Sequence, residues 1–137
     1  MEAKKTRGER NNNPLNIRIG NYWIGEVDKP TDSEFEQFKD MRYGIRAAFI
    51  IIRRYIRRYG LRTIIQIVSR WAPATENNTK AYIAFVSRES GIAANAPLRW
   101  TEDDRIMRLV AAMAKIESGI DLTQEQLLQG YEDATYC

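Results

Sequence analysis

The sequence contains no histidine, and its only cysteine is the last of 137 residues, Cys137. The lack of histidine excludes Ser-His-Asp and Cys-His catalysis and removes the side chain that most zinc sites use. A single cysteine provides neither a disulfide framework nor a thiolate cluster, so we expect no metal and no cofactor. Acid–base chemistry near neutral pH would therefore fall mainly to carboxylates, with tyrosine and lysine as less suitable groups.

Long hydrophobic runs are also missing. The longest is Ala47 to Ile52, far below the roughly 20 apolar residues that a transmembrane helix needs, so we expect no membrane span. The first ten residues are charged and lack the apolar stretch of a secretory signal peptide, which predicts synthesis in the cytoplasm. The formal net charge of +3 suits a polyanionic partner, either nucleic acid or an anionic cell-wall polymer, or serves solubility alone.

The residues that are present predict one mainly α (α+β) domain over residues 1–137. Residues 1–41 form a hairpin and site region, because Leu15 to Ile24 alternates apolar and polar side chains around the turn residues Gly20-Asn21. Residues 42–137 form a helical core, because their apolar side chains recur at helical spacing. The predicted helices are Arg42–Tyr59, Leu61–Trp71, Asn78–Ser90, Thr101–Gly119 and Thr123–Gly130.

The first of these helices carries six arginines beside its apolar face. They indicate either phosphate contacts or a solvated outer face whose long stems cover the edge of the core. We favour the solvated face, because no recognised nucleic-acid motif accompanies the arginines. The six are Arg42, Arg46, Arg53, Arg54, Arg57 and Arg58.

Candidates for carboxylate chemistry are numerous, and composition does not choose among them. Glycoside cleavage needs a carboxylic acid in a partly dry pocket to donate a proton to the leaving oxygen. The candidates include Glu9, Glu26, Asp32, Glu34, Glu36, Glu76, Glu89 and Glu117.

The stretch RGERNNNPLNIR, Arg7 to Arg18, is the most unusual part of the chain. Its asparagines can hydrogen-bond to nearby backbone and tolerate unusual φ and ψ angles, which predicts a tight turn before Pro14. A turn alone does not explain why the carboxylate Glu9 precedes it.

Three segments in fixed order resemble a known family: GERNNNPLNIR, RYGIRAAFIIIRRYIRRYG and SRWAPATENNTKAYIAFV. Over roughly residues 7–91 the chain is similar to phage and prophage proteins often labelled structural protein P5 or virion structural protein. This resemblance implies a protein of phage origin that acts at the cell wall or as part of a virion.

A looser resemblance is to lytic transglycosylases of the lysozyme-like superfamily, whose catalytic glutamate stands in a Glu-Ser-x-x-Asn-Pro pattern. Here Glu9 is followed by Asn13-Pro14 at the same offsets. Gln37 matches a later Met-Gln pair, and Thr79 with Tyr82 matches a Thr-x-x-Tyr pattern.

Two features of this chain depart from the transglycosylase pattern. Arg10 replaces the serine, and Trp71-Ala72-Pro73 replaces a Tyr-Asn-Ala-Gly turn. The glutamates of RESG and KIESG, Glu89 and Glu117, have no Asn-Pro at the matching offsets, and we interpret them as ordinary helix ends.

The transglycosylase resemblance implies a lysozyme-like helical domain with a small N-terminal β-hairpin that cleaves peptidoglycan glycan strands between muramic acid and glucosamine. Glu9 would act as general acid and then as base, with Glu34 as the partner if a second carboxylate is needed. The implied substrate-binding residues are Asn11, Asn13, Trp23, Gln37, Tyr43, Trp71, Glu76 and Tyr82. Two alternatives stay open. One is a non-catalytic virion or wall-binding module that keeps the fold, and the weaker one is nucleic-acid binding.

Overall fold

The computed structural model describes residues 4–74 and 77–137, and these parts of the chain are mainly helical. The helices are α1 (Arg7–Arg10), α2 (Met41–Arg57), α3 (Ile64–Trp71), α4 (Thr79–Ser90), α5 (Asp103–Ser118) and α6 (Gln124–Thr135). The prediction of a mainly helical protein is therefore confirmed. Within the described ranges, no helix combines the length and the apolar character that crossing a bilayer requires.

Local capping explains where most helices begin. Thr63 with Gln66 and Thr123 with Gln126 form reciprocal capping boxes at α3 and α6, in which each side chain accepts a hydrogen bond from an otherwise unpaired backbone N–H. The helix predicted from Thr101 begins later: α5 starts after Glu102, whose side chain accepts from the backbone N–H of Arg99 at 2.9 Å.

Helix α2 is central, and its apolar face is buried from Ile45 to Ile56. Helix α6 packs along it, with Gly130 of α6 against the side chains of Ile45 and Phe49. Gly130 therefore serves close packing and does not end the helix, which runs on to Thr135, beyond the predicted end. Burial of a side chain the size of Phe49, which is 0% exposed, contributes about 1.5–3 kcal/mol to folding.

The predicted N-terminal hairpin is not confirmed. The described residues before α2 show only isolated antiparallel bridges, Arg18 with Phe35 and Glu26 with Phe38, and no continuous pair of strands. The backbone of Ile17 and Ile19 pairs with residues 34–36 rather than with residues 22–24. The apolar alternation is misleading because it ends at Ile17, which is 3% exposed, whereas Ile19 is 48% exposed.

Candidate functional site

The N-terminal polar run contains the predicted acid, Glu9, in a local structural role. Its Oε1 accepts from the backbone N–H of Thr6 at 2.8 Å, and Thr6 Oγ1 accepts from the Glu9 N–H at 3.2 Å, which completes a capping box on α1. The hydrogen bond from the Thr6 backbone N–H to the carboxylate is the largest cause that lowers the pKa of Glu9. A general acid needs a raised pKa near neutral pH, so the geometry of α1 favours capping over proton donation.

The predicted groove residues Asn11 and Asn13 are buried inside this segment. Asn13 is 0% exposed, donates to the carbonyls of Ile17 and Glu36 at 3.0 Å each, and accepts from the Ile17 N–H at 2.9 Å. Asn11 donates to Asp32 Oδ2 at 3.0 Å. Their side chains are thus used to hold the turn to residues 32–36.

Asp32 is the carboxylate that pairs with Arg7 and Asn11 in this segment. The Arg7 guanidinium donates to both of its carboxylate oxygens at 2.7 Å, and this charged pair holds the pKa of Asp32 far below its usual range. Gln37, a predicted substrate-binding residue, accepts from the backbone N–H groups of Thr31 and Asp32. The predicted partner acid Glu34 is exposed and lies 3.6 Å from Arg7.

A pocket of about 480 Å³ lies between the N-terminal segment, α2, α3 and the last turn of α5. We call it the Glu117 pocket, because Glu117 is the carboxylate among the lining residues that the structure describes. Its aromatic walls include Tyr55, Tyr59 and Trp71, and its polar walls include Asn16 and Arg70. The volume falls within the roughly 300–1,000 Å³ of small-molecule sites.

The Glu117 carboxylate is held by side chains from three elements. Its Oε2 accepts from the Trp71 indole N–H and from the Tyr82 hydroxyl, both at 3.0 Å. Its Oε1 accepts from Asn16 Nδ2 at 3.4 Å. Burial raises the pKa of Tyr82, and the nearby carboxylate raises it further, so Tyr82 remains a neutral hydrogen-bond donor across the physiological pH range.

The structure therefore brings Trp71 and Tyr82 together, as the resemblance implied, but around Glu117 rather than Glu9. Sequence reasoning dismissed Glu117 because no Asn-Pro follows it. The sequence signal that could have identified Glu117 is its position in the last turn of an apolar helix, where a carboxylate projects beyond the packed face.

The neighbouring Ser118 ties the last turn of α5 to the asparagine run, because its hydroxyl donates to the Pro14 carbonyl at 2.8 Å.

The remaining predicted site residues lie elsewhere. Trp23, an implied substrate-binding residue, is 4% exposed in the core, and its indole nitrogen has no hydrogen-bond partner among the described residues. The ring of Tyr43 packs against Gly25 and borders a separate pocket near the C-terminus. Glu76 lies outside the described residues.

Together these features define the class: a mainly helical protein with a polar, aromatic pocket organised around a part-buried hydrogen-bond network. Protein P5 of Pseudoalteromonas phage PM2 is 41% identical to the chain over 135 residues, which cover 95% of this chain and 82% of that protein. The chain therefore belongs to the family of this phage protein. No family model matches the sequence.

Proposed function

We propose that this chain is a structural protein of a phage particle that binds a cell-wall glycan strand in the Glu117 pocket. The observation that carries the proposal is the combination of aromatic rings with hydroxyl-binding groups in one open pocket. Sugar rings present apolar faces that stack on aromatic side chains, and their hydroxyls pair with carboxylates and amides. Tyr59 is 47% exposed, so its ring is accessible to a ligand.

The family relationship supports the phage part of this proposal. A phage particle meets the glycan of its host wall during entry, and a protein of the particle that binds glycan would help to dock it there. The position of Glu9 supports a binding role rather than cleavage by that residue, because its carboxylate is engaged in the α1 capping box. The lysozyme-like fold and the single-domain organisation stay part of the proposal.

Co-sedimentation with purified peptidoglycan sacculi tests the proposal. We expect the wild-type chain to pellet with sacculi and Tyr59→Ala to bind about fivefold more weakly, equivalent to about 1 kcal/mol. Tyr136→Ala is the matched control, because Tyr136 is 84% exposed near the C-terminus and does not line the pocket. Equal loss in both variants, or no binding by the wild-type chain, would refute a glycan-binding pocket.

Glycan cleavage by Glu117 is the second candidate function. The supporting observation is that this carboxylate lines the pocket and that, among the described residues, its Oε1 accepts only the 3.4 Å hydrogen bond from Asn16. In a one-glutamate mechanism, the acid protonates the glycosidic oxygen as the C–O bond breaks. The carboxylate then removes a proton from the attacking 6-hydroxyl or water.

Mass spectrometry of the fragments released from sacculi tests cleavage. We expect fragments with the wild-type chain and with Glu9→Gln, and none with Glu117→Gln. Fragment release that stops in Glu9→Gln and persists in Glu117→Gln would return the acid role to Glu9. Binding without any fragment release would leave the structural, non-catalytic role.

A further inference from the structure

The Glu117 pocket carries more positive than negative charge in the part of the chain that the structure describes. Arg18, Arg54 and Arg70 line it together with the single carboxylate Glu117. Arg18 has a carboxylate partner, Glu34, at 3.9 Å. Among described residues, neither Arg54 nor Arg70 has a carboxylate within 4.0 Å.

Aromatic rings position both of these arginines. The Arg70 guanidinium lies 4.5 Å from the ring centre of Tyr59 and 5.6 Å from that of Tyr55. Arg54 lies 5.4 Å from the ring centre of Trp23. Cation–π contact uses the face of the planar guanidinium and leaves N–H groups along its edge, which is the geometry that binds a carboxylate in two parallel hydrogen bonds.

Asn16, another residue that lines the pocket, adds a hydrogen-bond acceptor. Asn16 adopts a left-handed backbone conformation with φ 52°, and its Nδ2 donates to the Glu117 carbonyl at 3.1 Å. Its Oδ1 is buried without a partner among the described residues. A buried unpaired acceptor is unfavourable, so a ligand hydroxyl or amide N–H that reaches Asn16 Oδ1 would stabilise the complex.

We infer that the Glu117 pocket selects a saccharide that carries a carboxylate, with the acid bound by Arg54 and Arg70 and a neighbouring hydroxyl or amide by Asn16 and Glu117. The inference rests on the proposed glycan binding and adds the charge of the ligand. A DNA strand fits less well, because its backbone has no free hydroxyl beside each phosphate to donate to Glu117, whereas a sugar hydroxyl next to the acid can donate to that carboxylate.

Calorimetric titration with three matched probes tests the inference. The probes are peptide-free strands of alternating N-acetylglucosamine and N-acetylmuramic acid, the same strands with their lactyl carboxylates converted to amides, and neutral chitin oligosaccharides of the same length. A hydrogen bond to a charged group is stronger than one between neutral groups. We therefore expect the acidic strand to bind at least about tenfold more tightly than the amidated one.

Arg70→Gln removes the charge while keeping a polar side chain of similar reach. We expect this variant to bind the acidic and amidated strands within about threefold of each other. Arg88→Gln is the matched control: Arg88 is also an exposed helix arginine on an aromatic ring, 5.7 Å from the centre of Phe85, but it does not line the pocket. The control is expected to keep the full preference for the acid.

The outcomes separate this inference from the proposed function. Equal wild-type affinity for acidic and amidated strands, or a preference that survives Arg70→Gln, would overturn the inference and leave glycan binding standing. Failure of all three glycans would overturn both. Tighter binding of a single-stranded oligodeoxynucleotide than of the acidic strand would overturn the choice of a saccharide.

Discussion

Glu36 is a buried acid whose removal should change how stability depends on pH. It is 7% exposed, and within the described part of the chain neither its buried Oε2 nor the buried Oε1 of Glu26 has a hydrogen-bond partner. Burial, and then the neighbouring Glu26 carboxylate, raise the pKa of Glu36 from 4.5 to about 7. The informative substitution is Glu36→Gln, which keeps the size of the side chain and removes its charge.

The sign of the effect follows from the raised pKa. Between pH 4.5 and about 7 the folded state keeps the Glu36 proton, while the unfolded chain releases it. The stabilising contribution of the protonated acid is thus complete below the unfolded pKa and declines as pH rises through the folded pKa. At about 1.4 kcal/mol per pKa unit, the wild-type chain should lose roughly 2–3 kcal/mol across this window.

Urea unfolding followed by circular dichroism at about pH 5 and about pH 8 measures this loss. We expect the free energy of unfolding of the wild-type chain to be lower at the higher pH. Glu36→Gln should lack most of this decline and exceed the wild-type chain at the higher pH. Glu34→Gln, an exposed neighbour, should keep the wild-type slope. A wild-type chain with equal stability at both pH values, or a Glu36→Gln variant with the wild-type slope, would show that folding does not raise the pKa of Glu36.

Two further substitutions test the asparagine run. Asn13→Ala removes three hydrogen bonds to buried backbone groups, although the Ile17 carbonyl still accepts from the Glu36 N–H, and should lower the free energy of unfolding by about 2–4 kcal/mol. The exposed Asn21→Ala should change it little, and equal effects in urea titrations would contradict the structural role. Gly44→Ala should unfold the chain or cost more than about 3 kcal/mol, because its Cβ would lie 1.9 Å from the Asn12 carbonyl oxygen. Gly20→Ala has open space around it and should melt like the wild-type chain, and a normal melting temperature for Gly44→Ala would show that this packing is misjudged.

The helical part of the fold was predictable because its signals are local. The apolar spacing of α2, the Thr123–Gln126 capping box and the left-handed glycines Gly91 and Gly119 all act within a few residues. The N-terminal segment was not predictable in the same way. Its pairing depends on side-chain hydrogen bonds between residues far apart in sequence, such as that from Asn13 to the Glu36 carbonyl, and alternation of apolar residues carries no information about them.

The candidate site was predictable only in part, for the same reason. The Thr-x-x-Tyr segment and the Trp-Ala-Pro segment that replaces a family turn contain Tyr82 and Trp71, and in the structure both side chains donate to the same oxygen of Glu117. The carboxylate that joins them comes from α5, 35 residues beyond Tyr82 along the chain. A motif anchored on Glu9 assumes that the acid precedes the Asn-Pro turn. Helix packing instead places Glu117 beside that turn from the other end of the chain.

The tryptophan side chains give the most direct test of the Glu117 pocket as the ligand site. The chain has three tryptophans, and their indole N–H groups have different environments. Trp71 donates to Glu117 at 3.0 Å, Trp100 donates to Thr135 at 3.1 Å, and Trp23 is unpaired in the core. In a ¹H–¹⁵N correlation spectrum titrated with peptide-free glycan strands, we expect the Trp71 indole resonance to shift while that of Trp100 stays in place. A Trp71 resonance that does not move at glycan concentrations that saturate binding would contradict glycan binding in the Glu117 pocket.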